Sequence, residues 1–207
     1  MIKGTPELIA GRREEIMNAC EKLYETKRFM EITLKEIGNE VPFSRPTIYN
    51  YFQTKEEIFL ALFEREYAAW TEDLNAAADE TGALSRTALA ERIADTLRGR
   101  KLLLKLLSVN LYDMEENSRM ERLVSFKRTF GRAREALLRL ILRACPDARE
   151  EELQSFLYAF LPFMHGIYPY AFATDKQKEA MDEAGIEHPE VTIRELVRSG
   201  LLRILPE

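Results

Sequence analysis

A short run of polar and aromatic residues, Arg45–Tyr51, carries side chains of the kinds that read duplex DNA. It combines a guanidinium, two hydroxyl-bearing rings, a threonine and an amide. Such groups hydrogen-bond to base edges and phosphates in a major groove. Ile48 and Phe52, spaced i and i+4, are predicted to face a core. The opposite, exposed face is then predicted to hold Arg45, Thr47, Tyr49, Asn50 and Tyr51. The alternative is a surface helix with incidental aromatic residues.

The neighbouring sequence predicts how this run is positioned. Thr33 followed by Glu36 predicts a capping box at the start of a helix. The sequence VPFS then predicts a turn, because Pro42 does not continue a helix. Ser44 is predicted to cap the next helix, with Pro46 in its first turn. Two helices joined by so short a turn, the second one short and polar, predict a helix-turn-helix.

The chain is predicted to be helical almost throughout, because apolar residues recur at helical spacing and no stretch alternates with period two. We expect helices near residues 11–27, 34–41, 45–51, 54–78, 84–98, 100–113, 118–144, 149–172 and 189–204. The polar segment 173–190 is expected to be irregular, with room for one short helical turn. The helix at 54–78 has two apolar stripes and is expected to bridge two cores. The predicted fold is therefore all-α, with an N-terminal three-helix helix-turn-helix head (1–55) and a C-terminal helical ligand-binding and dimerisation body (56–207).

Composition and charge narrow the class of protein. The 207 residues are 46% hydrophobic and 31% charged, enough for one large or two small globular domains. No window has the length and apolarity of a membrane span, and the N-terminus lacks an apolar leader core, so a cytoplasmic location is expected. The net charge is −5, but residues 1–55 hold nine basic and eight acidic side chains. An acidic body with a slightly basic head is compatible with DNA binding.

Residues typical of catalytic or metal sites are sparse. Cys20 and Cys145 are predicted to be buried thiols, and a structural disulfide is not expected in a cytosolic chain. His165 and His188 lack the spacing of metal ligands, and His165 lies in an apolar helix. The sequence has no nucleophile elbow and no glycine-rich phosphate loop. A non-enzyme without a cofactor or metal is therefore predicted.

Residues 31–62, EITLKEIGNEVPFSRPTIYNYFQTKEEIFLAL, resemble the DNA-binding signature of the tetracycline-repressor (TetR) family. The match is densest from Thr47 to Glu56, which follows the family's pattern of Thr, Leu-like, Tyr, any residue, Tyr, Phe, two residues, Lys and Glu. The family's usual turn glycine is replaced by Pro42, and Pro46 stands where glycine is also common. Because proline cannot adopt positive φ, this substitution is expected to alter the backbone path of the turn and the angle of the recognition helix.

The resemblance implies roles for individual residues of the head. It implies phosphate contacts by Thr33 and Tyr49, contacts to backbone or base by Lys35 and Tyr51, base contacts at the start of the recognition helix, and a phosphate clamp by Lys55. The predicted DNA-binding set is Thr33, Lys35, Ser44, Arg45, Pro46, Thr47, Tyr49, Asn50, Tyr51 and Lys55.

The resemblance also implies a homodimer formed by the helices near 149–172 and 189–204, which are rich in apolar residues, and an apolar effector pocket in the body. The predicted dimer contacts are Leu153, Phe156, Leu157, Ile193, Val197, Leu201 and Ile204. The predicted ligand-binding residues are Phe63, Tyr67, Trp70, Tyr112, Phe126, Phe130, Phe160, Met164, His165 and Tyr168. For any one of these aromatic and methionine side chains, plain core packing is the alternative.

These features together predict a dimeric, ligand-responsive transcriptional regulator. It is expected to be a repressor that a small apolar or aromatic effector releases from a palindromic double-stranded operator, with no membrane partner. The rival interpretation is a helical small-molecule-binding or interaction protein with a vestigial DNA head. A mobility shift with genomic fragments separates the two.

Overall fold

The computed structural model describes residues 5–109 and 111–206. In these residues every regular element is helical, which confirms the all-α prediction. The α-helices are α1 (Pro6–Thr26), α2 (Leu34–Asn39), α3 (Arg45–Tyr49), α4 (Lys55–Asp79), α5 (Arg86–Arg98), α6 (Lys101–Leu107), α7 (Leu111–Glu116), α8 (Met120–Ala144), α9 (Glu150–Ala171), α10 (Asp175–Glu183) and α11 (Ile193–Ile204). A 3-10 turn, Phe29–Glu31, precedes α2.

The start of α1 and two parts of the body differ from the predicted elements. The Thr5 hydroxyl accepts a hydrogen bond from Leu8 N, so α1 begins before Gly11. The helix predicted at 100–113 is two helices, α6 and α7, and the Ser108 hydroxyl donates to Lys105 O where α6 ends. The segment predicted to be irregular contains α10, whose capping box pairs Thr174 with Gln177.

The chain forms two compact units. The N-terminal unit contains the described residues up to Arg65 together with Val109–Phe130, and the C-terminal unit contains Glu66–Ser108 and the chain from Gly131 onward. The helices α4 and α8 therefore contribute residues to both units. The boundary predicted from the sequence, between a domain of residues 1–55 and a domain of residues 56–207, stays a prediction.

Aromatic packing holds α1 and the start of α4 together in the N-terminal unit. The ring of Phe59 meets Tyr24 edge-on at 5.0 Å between centroids and Phe29 at 4.7 Å. At the edge of this core, Arg65 on α4 donates to Glu14 Oε1 at 2.6 Å and to Asn18 Oδ1 at 2.7 Å, both on α1. The helix α2 packs on α1, and α3 packs on α2.

The C-terminal unit is a bundle in which α11 packs on α5 and α9, and α9 also packs on α6. Two ion pairs flank the α5–α11 contact: Arg194 with Asp95, and Arg198 with Glu91. At the α9–α11 contact, Gly200 lies under the ring of Phe163, so the two helices approach closely. Among the described residues no helix has the length and apolarity that crossing a membrane requires.

Candidate nucleic-acid interface

The recognition helix α3 places most of its polar side chains on one exposed face, as the sequence predicted. Arg45, Pro46 and Asn50 are exposed, and the Tyr49 ring is 54% exposed. Ile48 is buried on the opposite side. A face of guanidinium, phenol and amide groups backed by an apolar anchor matches what a major groove requires of a recognition helix.

Tyr51 is the exception on this helix. Its side chain is only 2% exposed, so the prediction that it lies on the exposed face is wrong. The backbone N–H groups of Tyr51 and Phe52 both donate to Ile48 O, which continues the helical spacing beyond Tyr49. Positions 48, 51 and 52 are then i, i+3 and i+4 and share the buried face. A DNA contact by the Tyr51 ring would need that ring to leave the core.

The start of α3 is capped differently from what the sequence predicted. The Ser44 side chain makes no hydrogen bond to the helix backbone. Its hydroxyl instead pairs with the Thr47 hydroxyl at 3.0 Å. Pro46 does stand in the first turn, where its missing N–H has no intrahelical partner to lose. The backbone N–H of Thr47, in the same turn, donates to Ser44 O at 2.9 Å.

The start of α2 has the predicted capping box. The Thr33 hydroxyl accepts from Glu36 N at 3.3 Å, and Glu36 Oε2 accepts from Thr33 N at 3.0 Å. Lys27 also donates to Glu36 Oε1 at 2.6 Å, which ties α1 to α2. Hydrogen bonds from Lys27 and Thr33 hold the pKa of Glu36 below its usual value. Thr33 and Lys35 are both exposed beside this cap, which suits their predicted contacts.

Lys55 is engaged within the head. Its ammonium donates to Phe29 O at 2.8 Å and lies 4.4 Å from the centroid of the Phe29 ring. An ammonium has three N–H donors, so a phosphate contact can be added without breaking the bond to Phe29. The phosphate clamp by Lys55 stays a prediction.

The N-terminal unit contains a buried ion pair that the sequence did not reveal. Glu57, on α4, has a fully buried carboxylate that accepts from Arg119 Nε at 2.6 Å and from Arg119 Nη2 at 2.9 Å. The carboxylate also accepts hydrogen bonds from the backbone N–H groups of Gln53, at 2.8 Å, and Arg119, at 3.2 Å. Burial raises the pKa of Glu57, but these hydrogen bonds outweigh it and leave the pKa below its usual value.

Further contacts from the residues before and inside α8 reach the end of the recognition helix. Arg122 Nη2 donates to Tyr51 O at 3.1 Å, and the Thr54 hydroxyl donates to Asn117 O at 2.9 Å. With the Glu57–Arg119 pair, residues 117–122 thus hold the junction of α3 and α4. The one sign of this ion pair in the sequence is Glu57 itself, because it lies i−4 from the buried Ala61 on the same helix face. An acidic side chain on a buried face requires a cationic partner, which the sequence does not identify.

The ten predicted ligand-binding residues do not form one group within either unit. Phe63 and Phe126 pack edge-on at 5.5 Å in the N-terminal unit, where Tyr112 is 80% exposed and Phe130 is half-buried. The C-terminal unit contains the others, which are Tyr67, Trp70, Phe160, Met164, His165 and Tyr168. Their binding of a ligand stays a prediction.

Trp70 and His165 are polar members of this set in the C-terminal unit. Trp70 is buried, and its Nε1 donates to Thr96 Oγ1 at 2.9 Å. Thr96 also lines an open surface cleft with Asp73, Arg92 and Arg100. Burial lowers the pKa of His165, and a hydrogen bond with the backbone of Leu107 opposes this effect.

The predicted dimer contacts need revision. Phe156, Leu157, Ile193, Val197 and Leu201 are buried within the single chain, so they have no surface to offer a partner. Leu153 and Ile204 are half-buried. The apolar stripes at 153–168 and 193–204 are the faces that α9 and α11 turn inward, because a helix buries its strongest stripe in its own core first.

The cysteines and His188 are the other residues whose side chains could bind a metal or react. Cys20 and Cys145 are both buried free thiols, and burial raises the pKa of each. His188 Nε2 lies 2.7 Å from Asp182 Oδ1 near the end of α10. Within residues 5–109 and 111–206, no three His, Cys, Asp or Glu side chains are grouped as a metal site.

Comparison with known proteins agrees with this geometry. Residues 16–62 match the model described as "Bacterial regulatory proteins, tetR family", and residues 64–205 match "Tetracyclin repressor-like, C-terminal domain". A curated relative, the HTH-type transcriptional regulator EthR of Mycolicibacterium smegmatis, is 38% identical over 53 residues. That match covers 26% of this chain and 24% of the relative. Because the two models together span the helix-turn-helix and the helical body, this chain belongs to the TetR family of DNA-binding transcriptional regulators.

Proposed function

We propose that this regulator is a homodimeric repressor that a small apolar or aromatic effector releases from a palindromic operator. The observation that carries the proposal is the exposed face of α3, where Arg45, Tyr49 and Asn50 stand clear of the core. The buried Ile48 and the contacts of residues 117–122 hold that face in one orientation. Base recognition depends on such preorganisation, because misplaced donors lose the bidentate geometry.

Selection of bound duplexes from a random pool tests operator recognition. Arg45→Ala should lower affinity for the selected sequence by about 1–3 kcal/mol and relax preference at one position. Lys55→Ala should weaken selected and unrelated sequences alike and reduce the slope of log affinity against log salt by about one unit. Unchanged consensus and affinity in Arg45→Ala would show that Arg45 is not the reading residue.

The outward face of α9 supports the dimer. Tyr158 is 80% exposed and Tyr170 is 77% exposed, and Pro162 and Pro169 are exposed on the same helix. Four apolar or aromatic residues on the solvent side of one helix form a face that a second copy of this chain can cover symmetrically. Such a dimer places two recognition helices against two half-sites of one operator.

Sedimentation tests the dimer. The wild-type chain should sediment as a dimer at micromolar concentration. Tyr158→Arg should be a folded monomer, because the exposed Tyr158 side chain has little contact with its own chain. Tyr112→Arg on α7, an equally exposed tyrosine, is the matched control and should remain a dimer. A wild-type monomer, or a Tyr158→Arg variant that stays dimeric, would remove this proposal.

Effector release draws its support from the match to a tetracyclin repressor-like C-terminal domain and from the aromatic residues of the body. Trp70 is the single tryptophan of the chain, so its fluorescence reports on the C-terminal unit alone. Apolar and aromatic compounds should be titrated with and without operator. An effector favouring the DNA-incompetent state 100-fold shifts the equilibrium by at most about 2.7 kcal/mol, and operator must weaken its binding by the same factor. Equal affinity under both conditions identifies a compound that is not an inducer.

A further inference from the structure

Gly38 lies on α2 at the point where the Arg45 side chain of α3 crosses it. A Cβ atom placed on Gly38 would stand 2.9 Å from Arg45 Cγ, 3.8 Å from Arg45 Cδ and 3.3 Å from Ile48 Cδ1. The first of these distances is shorter than carbon atoms tolerate without moving. Among the described residues positive φ occurs at Gly82 and Gly185, so the backbone of residue 38 is one that alanine can adopt. Gly38 is therefore needed for space and not for backbone conformation.

The aliphatic part of the Arg45 side chain is packed, whereas its guanidinium is exposed. Its first two methylene carbons beyond Cβ lie over Gly38, whereas its guanidinium has no hydrogen-bond or ion-pair partner within residues 5–109 and 111–206. Two arginines of the same unit differ in this respect: Arg65 donates to three side chains on α1, and Arg119 is bound by Glu57. An exposed guanidinium on a positioned stem at the first turn of α3 is arranged for an external acceptor.

We propose that Gly38 is a specificity-determining residue of the operator interface, because its missing Cβ sets the rotamer of Arg45 and hence which base pair Arg45 reads. The inference rests on the proposed operator recognition. Side-chain rotamers are separated by about 120°. A Cβ on residue 38 would force Cγ of Arg45 into another rotamer and carry the guanidinium away from its acceptor pair. Bidentate recognition of guanine O6 and N7 depends on that placement.

The test is a double-mutant cycle on the purified chain, using the duplex selected by the wild type and variants of it at each position. Gly38→Ala should lower discrimination by roughly 5- to 150-fold at the base pair where Arg45→Ala lowers it, which corresponds to losing one bidentate contact. In the Arg45→Ala background the same change at residue 38 should have no further effect, because the clashing Cγ is gone. Discrimination at the other positions should be unchanged.

Gly11→Ala is the matched control. Gly11 is also a helical glycine of the N-terminal unit, but a Cβ there meets nothing within 4 Å. Both alanine variants should unfold at or above the wild-type temperature, because alanine favours a helix over glycine by up to about 1 kcal/mol. Gly11→Ala should leave the operator preference unchanged.

Four outcomes count against the proposal. If Gly38→Ala keeps the wild-type preference, Arg45 is not positioned by residue 38. If its effect persists in Arg45→Ala, it acts through Ile48 and the spacing of α2 and α3. If Gly38→Ala unfolds below Gly11→Ala, Arg45 cannot rotate away from the new Cβ. A wild-type chain that selects no sequence overturns operator recognition itself and this inference with it, whereas the first three outcomes leave operator recognition standing.

Discussion

The pair formed by Glu57 and Arg119 allows a direct test of what holds the start of α4. Arg119→Ala removes two charge-assisted hydrogen bonds, of 2.6 and 2.9 Å, from a carboxylate with no exposed surface. Each such bond contributes about 1.5–3 kcal/mol. The Arg119 side chain is 33% exposed, so water replaces part of the loss. We therefore expect the free energy of unfolding to fall by about 2–3 kcal/mol, less than the ~3–5 kcal/mol for a fully buried pair.

Thermal unfolding followed by circular dichroism measures this effect. For a chain of this size, about 2–3 kcal/mol corresponds to a fall in Tm of roughly 4–12 °C. Lys22→Ala is the control, because Lys22 makes an ion pair of similar length with Glu40 but is largely exposed. Exposed pairs contribute little to stability, and no resolvable change is expected. If Arg119→Ala lowers the Tm no more than Lys22→Ala does, the buried pair does not stabilise the N-terminal unit and the expected loss is refuted.

Two further predictions concern acid sensitivity and helix packing. The pKa of Glu57 is below its usual value of 4.5, so the stability that its carboxylate contributes is present above about pH 4.5 and is lost as pH falls through the lowered folded-state value. Urea unfolding should show that the difference in free energy of unfolding between wild type and Glu57→Gln is constant above about pH 6 and closes at acid pH. Gly200→Ala should destabilise the chain by about 1–3 kcal/mol, because its Cβ would stand 2.7 Å from the Phe163 ring, whereas Gly131→Ala, with nothing within 4 Å, should not. Equal Tm values for these two alanine variants would contradict the close approach of α9 and α11.

Local signals account for most of the fold that the sequence predicted. The capping box at Thr33 and the cap at Thr54 both stand where expected, and α4 differs from its predicted bounds by one residue at each end. Where the sequence predicted no more than one short helical turn, α10 has nine residues. It buries none of them, so no apolar period marks it. The Thr174–Gln177 spacing is nevertheless a capping-box pattern, which predicts the start of a helix.

The residues of the candidate site that the sequence missed depend on contacts between distant parts of the chain. Nothing near Glu57 indicates Arg119, which lies 62 positions further along. Burial is similarly a property of the packed chain: the apolar residues chosen as dimer contacts face their own core, and Tyr158 and Tyr170 face outward. The burial of Tyr51 has a local cause, because Tyr51 stands i+3 from Ile48 and shares its buried face.

The discontinuous N-terminal unit has a consequence for how the protein folds during synthesis and for how its helix-turn-helix can be transplanted. Because Glu57 and Tyr51 are held by Arg119 and Arg122, the head reaches its final packing only after the ribosome has synthesised the start of α8. A nascent chain ending at residue 65 lacks the cation for a buried carboxylate. Recombination faces the same constraint: a graft that transfers the helix-turn-helix to another body must bring residues 117–122 with it, or find their equivalents there.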